Sequence, residues 1–487
     1  MKIKGLRWWI IGLIMLITII NYLDRGTLNY MWVTNVEYSI VNQFSTNTKN
    51  NEAVFLKEKN SYLLKNKKGK TEELSASHLL EKKNKKVVVN REGIAYDIGI
   101  IDKNTTPDEA SKKAKGILGT ITIFFMIAYG ISQLFSGKMY DKIGTRKGFV
   151  ISAAIWGLAD ALTSLAKGRF SLTAFRMMLG LGEAGPWPGA VKSNAEWFPQ
   201  KERAFAQGLF NAAASAGSIL APIIILMLYL LLGWRLTFLI VGSLGLIWII
   251  PWLIINKKGP KDHPWITDKE REHILTGQPE AQHINEKGKS WKELLSNKKN
   301  YSVILGRFFL DPIWWMFVTY LPLYLVEQFN LNITELAFSA WVPYFGAMIG
   351  SLTGGWFSGY LIRTGKTVDR ARKTAMIIGG LIIIPSVIAS VLVSNAILAV
   401  VLMAFVLGGF QFTMTNIQTI PSDLHCGPSV GSLAGLGGAA AVLGTILAIL
   451  FSAQITSWPL LFGLLAALVP LSLGSIFLTA GKIEHIK

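Results

Sequence analysis

The chain has one cysteine, few charged residues and scattered histidines, and each scarcity excludes a class of function. Cys426 alone rules out an internal disulfide and leaves no cysteine-rich metal centre. The six histidines show no ligand spacing, and no glycine-rich loop precedes a Lys-Ser/Thr pair to cradle phosphate. No nucleophile lies in a pattern with a base. The expectation is no enzyme, no metal and no cofactor. Charged side chains make up only 16% of the 487 residues, against about a quarter in soluble domains.

Long apolar runs take their place. The chain is 51% hydrophobic with a mean hydropathy of +0.39. A helix needs roughly 20 apolar residues to cross the hydrocarbon core. Twelve runs have this character: 8–32, 116–137, 148–166, 170–190, 203–231 and 234–255, then 301–326, 337–362, 374–393, 396–415, 430–455 and 458–479. The expected fold is an all-α membrane protein, with twelve transmembrane helices in two pseudo-symmetric six-helix bundles and a substrate site between them. Its parts are an N-terminal bundle in 1–255, a polar central loop in 256–300 and a C-terminal bundle in 301–487. Lys2, Lys4 and Arg7 before an apolar run imitate a signal peptide, but no small-residue cleavage site follows. That run reads as a permanent first helix.

A net charge of +19 raises the possibility of nucleic acid, and the distribution argues against it. With both termini in the cytoplasm, cytoplasmic segments hold 27 of the 49 Lys and Arg residues, as the positive-inside rule requires. The expectation is a multi-pass inner-membrane protein, monomeric in the bilayer. The stretch 33–115 falls outside, between helices 1 and 2, with 16 basic against 11 acidic residues. Long loops translocate largely regardless of charge. Within it, Ser61–Leu64, Asn66-Lys67-Lys68-Gly69 and Thr71–Leu74 read as a hairpin, and Val87–Val89 as a further strand. It is either a solvated appendage or a small domain that gathers substrate or meets a partner.

Ionisable residues inside membrane helices are costly and are functional candidates by default. They are Asp24, Arg25, Asp160, Arg176, Glu183, Arg307 and Asp311. Tyr22, Arg25 and Asn29 share a face of helix 1. Arg25 offers a fork that grips a carboxylate bidentately, and Tyr22 adds a hydroxyl. Asp24 can carry a proton, or it and Arg25 neutralise neighbours. Arg176 and Glu183 share a face of helix 4, roughly 10 Å apart along the axis. Glu183 can exchange a proton, or Arg176 forms a static ion pair with Asp160 or Asp24. Asn211 is the ligand candidate on helix 5. Trp314 and Trp315, beside a kink expected at Pro312, suit a sugar-ring face or simple packing. Helix 10 and its exit offer Gln411, Asn416, Gln418 and Asp423. The loop Gly137-Lys-Met-Tyr-Asp141-Lys-Ile-Gly144-Thr-Arg146-Lys147 places an acid and a basic cluster where they can latch neighbouring helix ends.

That loop resembles the loop 2–3 motif of the major facilitator superfamily, through Gly137, Asp141, Gly144, Arg146 and Lys147. The counterpart between helices 8 and 9 is degenerate, with Gly359 where an acid is expected. Asn21–Arg25 resembles the helix 1 signature of the anion:cation symporter family. Gly180–Pro188, Asn194–Arg203 and Asp311–Trp315 look like the bacterial hexuronate transporters, and only 33–115 has no place in that pattern. The resemblance implies that Arg25, Tyr22 and Tyr129 bind the substrate carboxylate. It also implies that Asp24 and Glu183, with Arg176 nearby, couple transport to protons. Galactonate carriers of the family place a sugar-contacting Gln on helix 5, where this chain has Ala214. The function expected is proton-coupled uptake of a hexuronate such as galacturonate or glucuronate, its partners being that organic anion and a proton. Carriage of another organic anion (an aldonate or aldarate) and a transporter-like sensor remain the rivals.

Overall fold

The computed structural model describes the chain except residues 1, 33, 41–51, 57–60, 66–70, 76–78, 83–84, 103–104, 106, 279–287, 330–338, 340, 453–454, 456 and 487. Its membrane helices are α1 Leu6–Met31, α2 107–143, α3 145–163, α4 in two segments Arg169–Glu183 and Pro186–Trp197, α5 200–232 and α6 234–255. The second half has α7 Tyr301–Phe329, α8 Val342–Arg363, α9 Val368–Leu392, α10 Ala396–Ile417, α11 Val430–Ser452 and α12 Trp458–Ala480. These make two bundles of six. One cluster of buried apolar residues lies wholly within 303–483, and the two large clusters of the first half lie within 6–274, Val442 apart. The outer faces stay apolar: Leu230, Leu392 and Leu478 are 70%, 80% and 77% exposed. Helices that satisfy their own backbone and show aliphatic side chains outward are what a lipid solvent requires.

The helix ends depart from the apolar runs where the chain leaves hydrocarbon. α2 begins at Pro107, nine residues before the expected 116, because helix continues through the polar segment up to Lys115. Helix α7 runs on past Pro312 as one helix, Tyr301–Phe329. Helices α2 and α3 join at Gly144 (φ 81°, ψ 164°), and α5 and α6 at Gly233 (φ 78°, ψ 169°). That backbone region is essentially confined to glycine, so one residue suffices to turn each pair. Where turns are longer, side chains cap the next helix. Thr367 accepts from Arg370 N and Asn395 from Leu398 N. Helix α1 has no cap of its own, and Glu270 of the 256–300 connection supplies one, accepting from Leu6 N at 3.0 Å and Arg7 N at 3.2 Å.

The insertion between α1 and α2 is a six-stranded sheet. Its strands are β1 Thr34–Ile40, β2 Glu52–Leu56, β3 Ser61–Lys65, β4 Thr71–Ser75, β5 Leu79–Lys82 and β6 Lys85–Glu92, in the order β4-β3-β2-β1-β6-β5. The expected hairpin is present as β3 and β4, with Tyr62 opposite Leu74 and Leu64 opposite Glu72. Its turn, Asn66–Gly69, lies outside the described residues. Val87–Val89 falls in β6, antiparallel to β1. Strand β1 follows directly on α1. Trp32, between them, donates from Nε1 to Ala114 O at 3.0 Å, and Trp234 of α6 reaches Asp97 beyond β6 at 2.9 Å.

The bundles are joined at the end where the 256–300 connection lies. Asp141 of the α2–α3 turn accepts from Gly431 N at 3.1 Å and from the backbone and hydroxyl of Ser432 at 2.6 Å, so it caps the start of α11. Lys192 of α4 holds the same carboxylate at 2.8 Å. The opposite seam has no acid at Gly359, for a structural reason. A Cβ there would come 2.7 Å from Lys201 O, so no side chain fits. Asp423, just beyond α10, supplies the carboxylate. It pairs with Arg372 of α9 at 2.9 Å, both side chains fully buried, and accepts from Gln200 at the start of α5. Arg203 of α5 reaches Ser422 O at 2.5 Å. Removing one partner of a fully buried ion pair strands the other charge, at a cost of about 3–5 kcal/mol. Arg372→Ala should therefore lower the thermal unfolding midpoint of the detergent-purified protein markedly. A variant melting together with the wild type would show that Asp423 does not depend on this pair.

Candidate functional site

Between the bundles lies a cavity that, with its opening to solvent, spans about 530 Å³. The first half contributes Tyr22 and Arg25 from α1, Tyr129 and Gln133 from α2, Trp187 from α4 and Asn211 from α5. The second contributes Arg307, Asp311, Trp314 and Trp315 from α7, Phe410, Gln411 and Met414 from α10, Gln418 just past it, and Gly438, Ala441 and Val442 from α11. Aromatic rings and amides predominate, with three charged groups among them.

Arg25 meets several partners at once. Its Nε and Nη2 donate to one oxygen of Glu183 at 3.1 and 3.0 Å. Nη2 also reaches Asn21 Oδ1, one turn back, at 3.5 Å. The guanidinium lies over the rings of Tyr22, Tyr129 and Trp315, at 5.1, 5.4 and 5.6 Å from their centroids. Three π-faces stabilise a cation taken from water, at roughly 0.5–2 kcal/mol each. The Tyr129 side chain also lies within hydrogen-bonding reach of the guanidinium. Glu183 is fully buried at the end of the first segment of α4, just before the helix breaks at Ala184 and Gly185, and its Oε1 has no partner.

Behind this pair, away from the cavity, are three more charged groups. Asp24 and Asp160 are fully buried, and their carboxyls face each other at hydrogen-bonding range. Neither receives a donor from the rest of the protein. Arg176 is 4% exposed, with Nε and Nη2 unpartnered and its guanidinium over Phe238 at 5.7 Å. Arg176 forms no ion pair with Asp24, Asp160 or Glu183 at contact distance among the described residues.

The structure brings Tyr22, Arg25, Tyr129, Asn211, Trp314, Trp315 and Gln418 to one cavity. Trp314 stacks on Phe410 at 5.8 Å and meets Tyr344 edge-on at 5.9 Å, so it packs and lines at once. Asn211 donates to Thr415 at 3.1 Å and Gln207 to Gln418 at 2.9 Å, across the bundle seam. Asn416 is placed differently. Its amide donates to Gly354 O and Phe412 O, and it does not line the cavity. Ala214 is buried and does not line it either. Asp24, Arg176 and Glu183 stand behind the wall. Gln133, one turn beyond Tyr129, was not expected at the cavity; its i, i+4 spacing from Tyr129 was the available signal. In the turn motif, Asp141 makes the contacts described above, Gly137 lies so close to Gly431 that a Cβ would overlap its carbonyl, and Arg146 donates to Leu253 O at 3.1 Å.

Residues 14–425 match the model of the Major Facilitator Superfamily. The chain is 32% identical over 329 residues to the hexuronate transporter of Escherichia coli K12, covering 66% of this chain and 75% of that one. It is 35% identical over 263 residues to the galacturonate transporter of Dickeya chrysanthemi, covering 53% and 76%. A probable galactarate/D-glucarate transporter of E. coli K12 is 30% identical over 311 residues, covering 61% and 70%. In three dimensions the chain matches a proton:xylose symporter of the superfamily bound to 6-bromo-6-deoxy-D-glucose, with a TM-score of 0.67 over 99% of this chain and 97% of that one. At 11% identity that likeness shows the fold alone. With its two six-helix bundles, its central cavity and a family match over most of its length, the chain belongs to the Major Facilitator Superfamily of membrane transporters and is not an enzyme.

Proposed function

We propose that the chain carries a hexuronate such as galacturonate or glucuronate into the cell together with protons, by alternating access. The observation that carries this reading is the Arg25–Glu183 pair at the cavity wall. While Glu183 is ionised, it competes with any substrate carboxylate for the same guanidinium. Once it takes a proton, Arg25 is freed for the anion, and proton and anion load together. The Asp24–Asp160 pair and Arg176 give a second proton a place beside the first. The named activities of the hexuronate and galacturonate transporters support the substrate class. Basic residues cluster at the connection side, which supports cytoplasmic termini. The latches of Asp141 and Asp423 then close the cytoplasmic end. Release follows when the bundles rock and Glu183 returns its proton inside.

Two measurements test the reading. Proteoliposomes acidified outside should accumulate labelled galacturonate above equilibrium, and collapsing the pH gradient should abolish the accumulation; uptake indifferent to the gradient would sink proton coupling. In the same assay Arg25→Ala should lose uptake at least tenfold. Glu183→Gln should keep exchange of internal for external substrate while losing accumulation driven by the gradient. Full uptake by Arg25→Ala would remove the anion site from Arg25, and gradient-driven accumulation by Glu183→Gln would free that carboxyl from coupling.

A further inference from the structure

The wall opposite Arg25 carries a second arginine that is not free. Arg307 donates from Nε to Asp311 Oδ2 at 3.1 Å and from Nη2 to Oδ1 at 3.0 Å, a two-pronged pair one turn apart on α7. The side chains are 10% and 13% exposed, and both residues line the cavity. The charged side chains of the wall are therefore Arg25, Arg307 and Asp311, and their formal charges sum to +1 + 1 − 1 = +1. The other polar groups of the wall, among them Gln133, Asn211 and Gln411, are neutral. Glu183 behind Arg25 brings the sum to zero when ionised and leaves +1 when protonated. The loaded site thus balances one negative charge.

Building on the sugar-acid reading above, we propose that the Arg307–Asp311 pair restricts the substrate to acids with a single carboxylate, and that Asp311 is the residue that turns away aldarates. A uronate or aldonate bound through its carboxylate to Arg25 leaves a neutral, hydroxyl-bearing end. That end finds both donors and acceptors at the Arg307–Asp311 pair. An aldarate of the same length brings a second carboxylate to the far wall. There Asp311 already neutralises the charge of Arg307, and its own carboxylate repels the newcomer at the low dielectric of the interior. The relatives named above include carriers of both kinds of acid, so family membership alone does not make this choice.

The test is competition for labelled galacturonate in proteoliposomes holding the full-length chain, with unlabelled galactarate, its dicarboxylate counterpart. Wild type should prefer galacturonate more than tenfold, and Asp311→Asn should narrow that preference to within about threefold. Because Asp311→Asn leaves Arg307 unpaired and can fail to fold, Arg307→Gln is measured beside it. With the wall sum then lowered to zero, galacturonate itself should bind at least tenfold more weakly. Equal competition by the two acids in wild type would overturn the proposal. So would an active Asp311→Asn protein with unchanged preference, or an Arg307→Gln protein that binds galacturonate as wild type does. Wild-type vesicles that take up neither acid would instead overturn the sugar-acid reading, and this assignment with it.

Discussion

A guanidinium held in a dry interior is the constraint around which the rest is arranged. Arg25 lies among helices surrounded by lipid, where an uncompensated charge is expensive. Everything that touches it lowers that expense: one oxygen of Glu183, the amide of Asn21 and three aromatic faces. Glu183 meets it through a single oxygen, Oε2, and its Oε1 has no partner. Arg307 uses the same two nitrogens, Nε and Nη2, but divides them between the two oxygens of Asp311. The two arginines of the cavity thus differ in how their carboxylate is held, one by a single oxygen and one by both.

Much of this was legible in the sequence, and the limits have physical causes. Hydropathy located the membrane helices because lipid demands apolar outer faces; the run 234–255 coincides with α6. Hydropathy has nothing to say once a helix leaves hydrocarbon, so the polar start of α2 went unread. Spacing put Tyr22 and Arg25 on one face, and both line the cavity. Spacing also put Arg176 and Glu183 on one face. Two turns along an axis is about 10 Å, too far for contact, and the partner of Glu183 came from α1 instead, 158 residues away. Pairings between helices depend on how the bundle closes, and no periodicity within one helix records that. Asn416 shows the same limit: its position past the middle of α10 was visible, but not that its amide turns to Gly354 of α8.

The insertion shows what alternation can and cannot reveal. The hairpin β3–β4 was readable because two short runs flank a turn-forming stretch. Strands β1 and β2 pair in parallel across intervening chain, and β1 pairs with β6 from the far end of the insertion. Such contacts join distant sequence, so no local signal marks them. The stretch carries a sheet, which fits a solvated appendage as well as a small domain that gathers substrate or meets a partner. Its attachment through Trp32 to Ala114 and through Asp97 to Trp234 ties it to helices of the first bundle, so it can move as part of that half.

The distribution of charge pairs also bears on how the halves can move. The ion pairs at the cavity and at the latches each lie within one half. Arg25–Glu183 and Lys192–Asp141 belong to the first, Arg307–Asp311 and Arg372–Asp423 to the second. Hydrogen bonds across the seam are of another kind: amide to amide between Gln207 and Gln418, amide to hydroxyl between Asn211 and Thr415, and a charged group meeting an uncharged one at Asp141–Ser432, Gln200–Asp423 and Arg203–Ser422. A neutral bond of this sort contributes about 0.5–1.5 kcal/mol and one to a charged group about 1.5–3, whereas parting a buried ion pair costs about 3–5 kcal/mol and strands a charge. Rocking one bundle against the other would therefore exchange hydrogen bonds with incoming water and leave these four ion pairs together. The exception is Arg25, whose partner a proton can remove. In the proposed cycle the protonation of Glu183 is the electrostatic event coupled to substrate; of the four pairs, Arg25–Glu183 and Arg307–Asp311 reach the cavity, while none of Lys192, Asp141, Arg372 and Asp423 lines it.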